Sequence, residues 1–127
     1  MPTPRMLFRL LSYLFLAGVA VQFFLAGYGL PQFGAHSIDP HKGFAGALEV
    51  IVLLMFGAAI WAKMGRMIIG MIVVLFVLIV LQYLWASESL SPHWLRSFHV
   101  FDALLIAFLG YHIAERARLA RPETSRV

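Results

Sequence analysis

Four long apolar runs divide the chain, and short polar segments separate them. The runs cover residues 7–29, 43–62, 67–86 and 98–114, each close to the roughly 17–25 residues that a helix needs to cross a bilayer. Apolar residues are continuous within each run instead of alternating, and each run is about twice as long as a transmembrane strand. The pattern therefore predicts four transmembrane helices and no strands.

Composition places the chain in the membrane class. Hydrophobic residues make up 61% of its 127 positions and charged residues only 13%, too little polar surface to cover a soluble globule. The absence of cysteine excludes thiolate metal sites, disulfides and thiol catalysis. No phosphate-binding loop, nucleophile–base arrangement or pair of catalytic carboxylates stands out. We expect one all-α integral membrane domain over residues 1–127, with the lipid bilayer as its main surroundings.

Basic residues are concentrated at one end of the predicted bundle. They are Arg5 and Arg9 before the first run, Lys63 and Arg66 in the second connection, and Arg116, Arg118, Arg121 and Arg126 after the fourth run. Only Lys42 and Arg96 occupy the other two connections. The positive-inside rule then predicts an up-down-up-down antiparallel bundle in a bacterial cytoplasmic membrane, with both termini and the tail 115–127 in the cytoplasm. The positions of the basic residues are explained by the orientation of the protein in the membrane, so no nucleic acid partner is expected. The first run is too long for a typical cleaved signal peptide, so we expect it to remain uncleaved as the first transmembrane helix.

The two halves of the chain resemble each other. The first reads "VQFFLAGYGLPQFGAHSIDPHKGFAGALEVIVLLMFG" and the second "LQYLWASESLSPHWLRSFHVFDALLIAFLG". In each half a glutamine lies near the end of one helix and a histidine opens the next; these are Gln22 and His41, then Gln82 and His99. Matched polar positions favour an internal duplication, so we expect two pseudo-repeated hairpins. His41 and His99 should then face each other across the bundle.

Several polar residues are predicted to gather at the same outer depth: Gln22, Gln82, His41, His99 and Asp102. Intramembrane polar groups usually face the bundle interior or line a functional site. Two imidazoles on opposed helices can hold a haem iron from both faces. The pattern therefore makes His41 and His99 candidate ligands of a haem iron.

Neighbouring residues agree with a haem pocket. Gly43 and Gly46 would reduce bulk beside His41 and make room for a flat ring, and three phenylalanines, Phe44, Phe98 and Phe101, could pack on its edges. Lys42 and Arg96 each lie within three positions of a candidate ligand, where they could pair with the propionates.

The twice-repeated order of glutamine, loop and histidine resembles one half of a haem A synthase and, more loosely, the small four-helix b-type cytochromes. Over residues 10–115 the chain is also similar to a family of small uncharacterised bacterial four-helix membrane proteins. The resemblance implies that His41 and His99 hold one haem b, and that the protein transfers electrons from a quinol or another membrane redox partner or serves as a haem subunit of a larger complex. It lacks the second half of a synthase and has no clear match to its acidic catalytic residue, so oxygenase-like chemistry on the haem is not expected, and whether the protein is an enzyme stays open.

Other interpretations remain open. The two histidines are alternatively interfacial helix caps or ligands of zinc or copper, and His36 and His93 are either solvated loop residues or part of an external metal site. The protein would then be a structural or interacting membrane protein, possibly a homo-oligomer, or a metal-binding accessory.

Two buried acids and one further histidine complete the candidates. Asp102 orients the His99 ring or takes up a proton, or is a buried acid paired with Arg96 or a glutamine. Glu49 is either a protonated interhelical hydrogen-bond donor or a step in a proton path. His112 has no histidine partner at its end of the bundle.

Overall fold

The computed structural model describes residues 3–30, 37–87, 89 and 92–120, and gives the backbone alone at His93. Within these residues the chain forms four long helices and no strand. The helices are α1 Pro4–Tyr28, α2 Asp39–Trp61, α3 Arg66–Ala86 and α4 Ser97–Leu119, with a short 3-10 helix at His93–Arg96 leading into α4. All four are long and apolar enough to cross a membrane. The predicted all-α, multi-pass bundle is confirmed.

Local sequence explains where the helices begin. The Thr3 hydroxyl accepts a hydrogen bond from the backbone N–H of Met6, and Pro4 follows it at the first helical position of α1, an arrangement that satisfies one free donor and presets φ. Pro40 likewise presets φ in the first turn of α2. As a result α2 starts at Asp39, four residues before the predicted span, and His41 lies within the first turn of the helix.

The connection between α2 and α3 is the tightest in the molecule's described part. Lys63 has φ 52° and Gly65 φ 87°, both in the left-handed region, which glycine adopts without strain and lysine tolerates only at a helix end. The N–H of Met64 donates to the carbonyl of Ala59, which closes the end of α2. We call this end of the bundle the turn end, and the opposite end, which carries His41 and His99, the histidine end.

The helices form a square in which each packs against its two neighbours. The close pairs are α1 with α2, α2 with α3, α3 with α4, and α4 with α1, so α2 and α4 are diagonal partners, as are α1 and α3. Arginines of α1 tie the turn end together: Nε of Arg5 donates to the carbonyl of Ala62 and Nε of Arg9 to that of Ala117. These bonds satisfy carbonyls that the ends of α2 and α4 leave free.

Burial follows the sequence repeat. Each buried residue of α3 has a buried counterpart on α1, 60 positions earlier, and four buried residues of α2 have buried counterparts on α4, 58 positions later. The α1/α3 pairs are Phe8/Ile68, Ser12/Ile72, Phe15/Leu75 and Val19/Ile79, and the α2/α4 pairs are Leu48/Ile106, Val52/Gly110, Met55/Ile113 and Ala59/Ala117. The backbone therefore repeats as two hairpins, α1–α2 and α3–α4, around a pseudo-twofold axis. The fully buried core fills the middle and the turn end, and space remains at the histidine end.

Candidate functional site

The rings of His41 and His99 face each other at the histidine end, from the diagonal helices α2 and α4. Their centres are 6.2 Å apart and their planes differ by 72°. Both residues lie in the first turn of their helices. The structure therefore brings together the two histidines that the repeat had singled out, which are 58 residues apart in the chain.

The same hydrogen bond orients both rings. Nδ1 of His41 lies 3.2 Å from the main-chain oxygen of Gln22, and Nδ1 of His99 lies 3.2 Å from the main-chain oxygen of Gln82. A carbonyl oxygen only accepts, so Nδ1 must carry the proton in each ring. Nε2 is then left unprotonated on both histidines, with its lone pair available to a metal.

Small residues make these carbonyls accessible. Ala26 follows Gln22 by four positions and Ala86 follows Gln82 by four, and residues four apart lie on the same face of a helix. A larger side chain there would cover the carbonyl oxygen that the histidine approaches. The spacing explains why a glutamine with an alanine one turn later precedes each histidine.

The ring separation fits one metal atom held between the two imidazoles. A metal–imidazole nitrogen distance is about 2.0–2.1 Å and the ring centre lies about 1 Å beyond the nitrogen, so two rings on opposite sides of one metal have centres about 6 Å apart. The 72° between their planes is compatible, because each ring can turn about its own metal–nitrogen bond.

A cavity of about 260 Å³ surrounds the two rings. Every helix contributes four residues to it: Val19, Gln22, Phe23 and Ala26; His41, Lys42, Ala45 and Leu48; Ile79, Gln82, Tyr83 and Ala86; His99, Val100, Ala103 and Ile106. The α3 set follows the α1 set by 60 positions at each place, and the α4 set follows the α2 set by 58. The site is thus built twice from one plan. Its volume is slightly below the range of about 300–1,000 Å³ that is typical of small-molecule pockets.

Alanines, not glycines, make the space beside the histidines. Ala45 and Ala103 lie one turn after His41 and His99 and line the cavity. Gly43 and Gly46, expected from the sequence to make room for a ring, do not line it, and no atom lies within 4 Å of a Cβ built on either. One residue along a helix is a rotation of about 100°, which is enough to turn these glycines away.

The three phenylalanines expected at the edges of a ring lie elsewhere. Phe44 packs against α1, where one of its ring atoms would be 3.6 Å from a Cβ on Gly18. Phe98 contacts the Trp85 ring and is 45% exposed, and Phe101 is 57% exposed. Their positions indicate contact with lipid and neighbouring helices instead of with a bound guest.

The two candidate partners of the propionates differ in placement. Lys42 lines the cavity and is exposed. Arg96 does not line it; the residue is half-buried and its Nε atom makes no hydrogen bond. Both lie at the histidine end, within three residues of a histidine, where they place positive charge at the rim.

Two polar side chains beside the rings, the carboxyl of Asp102 and the amide of Gln22, have buried oxygens without a hydrogen-bond partner. Asp102 is only 4% exposed and lies beside Gln82, His99 and Trp85, yet neither of its oxygens makes a hydrogen bond of good geometry. The side chain of Gln82 donates to the main-chain oxygen of His99 over 2.9 Å, whereas Oε1 of the equivalent Gln22 is buried with no partner. Arg96 is not among the neighbours of Asp102, so the expected pairing of these two is not seen.

Of the other three histidines, only His112 has a described side chain. His36 lies outside the described residues, and for His93 the structure describes the backbone alone. His112 is on α4 towards the turn end, where its ring contacts those of Phe108 and Tyr111. No cluster of three or more His, Asp or Glu side chains that could hold a metal ion occurs among the described residues.

The number of imidazole ligands distinguishes a bare metal ion from a haem. Zinc in proteins is almost always held by at least three protein ligands, and here two imidazoles converge. A porphyrin supplies four nitrogens of its own and needs only two axial ligands.

Sequence reasoning had missed most of the cavity lining, including its four alanines. The repeat contains the signal: with Gln22 placed on Gln82 and His41 on His99, Ala26 falls on Ala86. In the same way "HKGFAGAL" aligns with "HVFDALLI" and matches Ala45 to Ala103.

Comparison with known proteins identifies a family. A family model described as "Family of unknown function (DUF6220)" matches residues 22–89, more than half of the chain. The matched segment includes Gln22, His41 and Gln82 and ends before His99. No curated protein and no solved structure matches the chain, so the likeness to haem A synthase and b-type cytochromes stays a prediction. The chain belongs to DUF6220, a family of unknown function.

Proposed function

We propose that this chain is a membrane protein that binds one b-type haem between His41 and His99 and transfers electrons, alone or as the haem subunit of a larger complex. The observation that carries the proposal is the symmetric presentation of two imidazoles, each with Nδ1 on a glutamine carbonyl and with ring centres 6.2 Å apart. Ordinary helix caps or interfacial histidines have no reason to converge in this way.

When bound, the haem iron supplies one-electron exchange. The residues of this chain supply the rest. The carbonyls of Gln22 and Gln82 fix the tautomer and direction of the histidine rings, which raises the basicity of Nε2. Val19, Leu48, Ile79 and Ile106 line the inner part of the cavity and keep water from it.

Charge at the histidine end completes the binding site. Lys42 at the cavity rim and Arg96 nearby are the cations available to propionate carboxylates, and such charge-assisted hydrogen bonds are about twice as strong as neutral ones. The excess of basic residues at the turn end favours that end in the cytoplasm. The haem would then lie near the outer face of a bacterial cytoplasmic membrane.

Absorbance spectroscopy of the purified protein tests the proposal directly. We expect the detergent-purified protein, oxidised and then reduced with dithionite, to show the spectrum of a low-spin b-type haem with two nitrogen ligands. His41→Ala and His99→Ala should each abolish it. His112→Ala is the matched control, because it removes a histidine from the same helix as His99 without touching the cavity, and it should retain the spectrum.

Two other outcomes would replace the proposal. A colourless protein that is helical and monodisperse would indicate that the polar groups only fix helix packing, as in a structural or interacting membrane protein. Retention of zinc or copper through dialysis, lost in His36→Ala or His93→Ala, would indicate an external metal-binding accessory. Circular dichroism and size-exclusion chromatography of every variant separate loss of ligand from loss of fold.

A further inference from the structure

The pseudo-twofold axis gives an internal comparison for each residue near the cavity. Both hairpins have the same backbone plan, so a polar residue whose counterpart is apolar is not needed for the fold. Three such differences involve a carboxyl or a phenol, and all three lie beside α3; a fourth, Lys42 against Val100, involves an ammonium group of the cavity lining. The first three are Tyr83 against Phe23, Glu49 against Ala107, and Asp102 against Phe44. The surroundings of α1 are apolar at each equivalent position.

Glu49 is the most unusual of these residues. It is half-buried on α2, eight residues from His41 and so about 12 Å deeper into the bundle. Ionisable groups at such depth are rare and are functional candidates by default, because the surrounding hydrocarbon does not solvate them. Its counterpart Ala107 shows that the helix packs there without a carboxyl.

The hydroxyl of Tyr83 is the polar neighbour of Glu49. The two side chains interact across α2 and α3, although they come from antiparallel helices and different heights. Side chains lean towards the N-terminus of their helix, so Glu49 leans towards the histidine end and Tyr83 leans away from it. The two directions converge, which is why the groups meet.

This pair lies where the cavity reaches the lipid-facing surface. Tyr83 lines the cavity and is also 47% exposed, so its ring is at the mouth between the inside and the bilayer. Phe23 has the equivalent position on α1, lines the cavity and is 43% exposed, but it carries no polar group. The cavity lining is therefore exposed at two equivalent aromatic residues, and we call these two places the α3 mouth and the α1 mouth. The α3 mouth has the Tyr83 hydroxyl with a carboxyl beside it, and the α1 mouth has neither.

We propose that the α3 mouth, formed by Tyr83 and Glu49, binds the head group of a membrane quinone or quinol. Such a ring is apolar on its faces and carries oxygens on opposite edges, so it needs aromatic contact and a few hydrogen-bonding groups at a place reached from the bilayer. The Glu49 carboxylate accepts a hydrogen bond from a quinol hydroxyl, and the Tyr83 hydroxyl donates to a quinone oxygen. A lipid headgroup is not a fit, because the pair lies well below the end of the bundle.

The assignment names the electron donor or acceptor of the haem protein and rests on that proposed function. It explains why the acid lies on one side only. A quinol loses protons when it is oxidised and a quinone gains them when it is reduced; a carboxylate beside the oxygen can accept a proton in the first case, and the protonated carboxyl group can return it in the second. The α1 mouth, with Phe23 and Ala107, has no group that could do so.

Binding of decylubiquinone to the protein in nanodiscs tests the site without requiring any turnover. Quenching of tryptophan fluorescence, corrected with empty nanodiscs, gives the dissociation constant. We expect saturable binding to the wild type, weakened about tenfold in Glu49→Gln and in Tyr83→Phe, since each removes one hydrogen bond that a carboxylate or phenol makes in a dry site. Phe101→Tyr is the control, because it adds the same hydroxyl to an exposed ring that does not line the cavity, and it should leave binding unchanged.

Each outcome decides the matter. Absence of saturable binding to the wild type, or binding by Glu49→Gln and Tyr83→Phe that is as tight as that of the wild type, overturns the quinone site. If Glu49→Gln fails to fold, Tyr83→Phe still decides, because its ring keeps the apolar contacts. The haem spectrum is recorded on the same samples: a haem-loaded protein that fails to bind decylubiquinone overturns this inference alone, whereas a colourless protein overturns the proposed function and the redox role of any quinone it binds.

Discussion

The two hairpins of the bundle share a backbone plan but fill it differently. At the interface between α1 and α4, Phe15 packs onto Gly110, so closely that a Cβ on the glycine would be 2.8 Å from the ring. The equivalent positions between α3 and α2 hold Leu75 and Val52, and both are fully buried. A phenylalanine opposite a glycine fills a volume similar to that of a leucine opposite a valine. Close packing constrains the sum of the side chains and leaves each residue free to vary.

Around the cavity the pattern is reversed. There the hairpins agree in residue type at the histidines, the glutamines and all four alanines. Packing alone tolerates exchange between neighbours, as the interfaces show, so identity at these eight positions needs another reason. A shared demand of one guest, contacted in the same way from both sides, supplies it.

The largest effect is expected for the histidines. His41→Gly and His99→Gly should each lose the low-spin haem spectrum to the same degree, because the two rings have equivalent roles. Added free imidazole should restore the spectrum in both variants, since it can occupy the space that each ring leaves. Titration of imidazole followed by absorbance measures this. Rescue of only one variant would contradict the equivalence of the hairpins.

Filling the cavity should come next. Ala45→Leu or Ala103→Leu adds three carbons beside a histidine, where a flat ring would lie, and should lower haem occupancy at least about tenfold while the helices stay folded. The ratio of haem absorbance to protein concentration measures the change. Gly43→Ala adds a methyl group outside the cavity and is expected to keep full occupancy; a loss there equal to that of Ala45→Leu would show that the cavity does not define the site.

Replacing the residues of one packing interface with those of the equivalent interface should have an intermediate effect. Gly110→Val overpacks the Phe15 ring and should destabilise the bundle by about 1–3 kcal/mol. Combining it with Phe15→Leu recreates the Leu75/Val52 pair of the other hairpin, and most of the lost stability should return as a favourable coupling energy. Unfolding in mixed micelles with increasing SDS provides the four free energies of this cycle. Additive losses would mean that the two interfaces are not equivalent.

The smallest effect should come from the glutamines. The Gln82 side chain donates to the main-chain oxygen of His99, whereas Oε1 of Gln22 has no partner. Gln82→Ala should therefore cost about 1 kcal/mol more than Gln22→Ala in the apoprotein. Both variants keep the main-chain carbonyl that orients the histidine. If haem addition reverses the order, the Gln22 amide contacts the guest.

Much of the fold followed from hydropathy, because a bilayer admits few architectures. The four spans and their antiparallel order were predicted correctly, and errors were confined to the ends. The start of α2 was placed at Gly43 because the prediction weighed apolar content, whereas Pro40 and Asp39 begin the helix by their geometry and charge. At the other end of the chain, α4 continues five residues beyond the predicted span to Leu119.

The site was less accessible to prediction because it depends on helix rotation. Depth can be counted along the sequence, and it placed His41, His99 and both glutamines at one level. Rotation decides whether Gly43 or Ala45 faces the interior, and it depends on how four helices pack together. The sequence does not show which main-chain carbonyl a histidine will contact. The polar side chain of Gln22 marks the position, but His41 contacts the main-chain oxygen of that residue.

The short link between α2 and α3, closed by Lys63 and Gly65, has an evolutionary consequence. A homodimer of one hairpin would display every substitution twice, so a carboxyl introduced at one mouth would be copied at the other, and two acids would be left within the hydrocarbon. Joining both hairpins in a single polypeptide removes that obligation. One side can then carry Glu49 and Tyr83 while the equivalent side, with Ala107 and Phe23, stays apolar, so the two sides of the cavity differ chemically although their backbones are related by the pseudo-twofold axis.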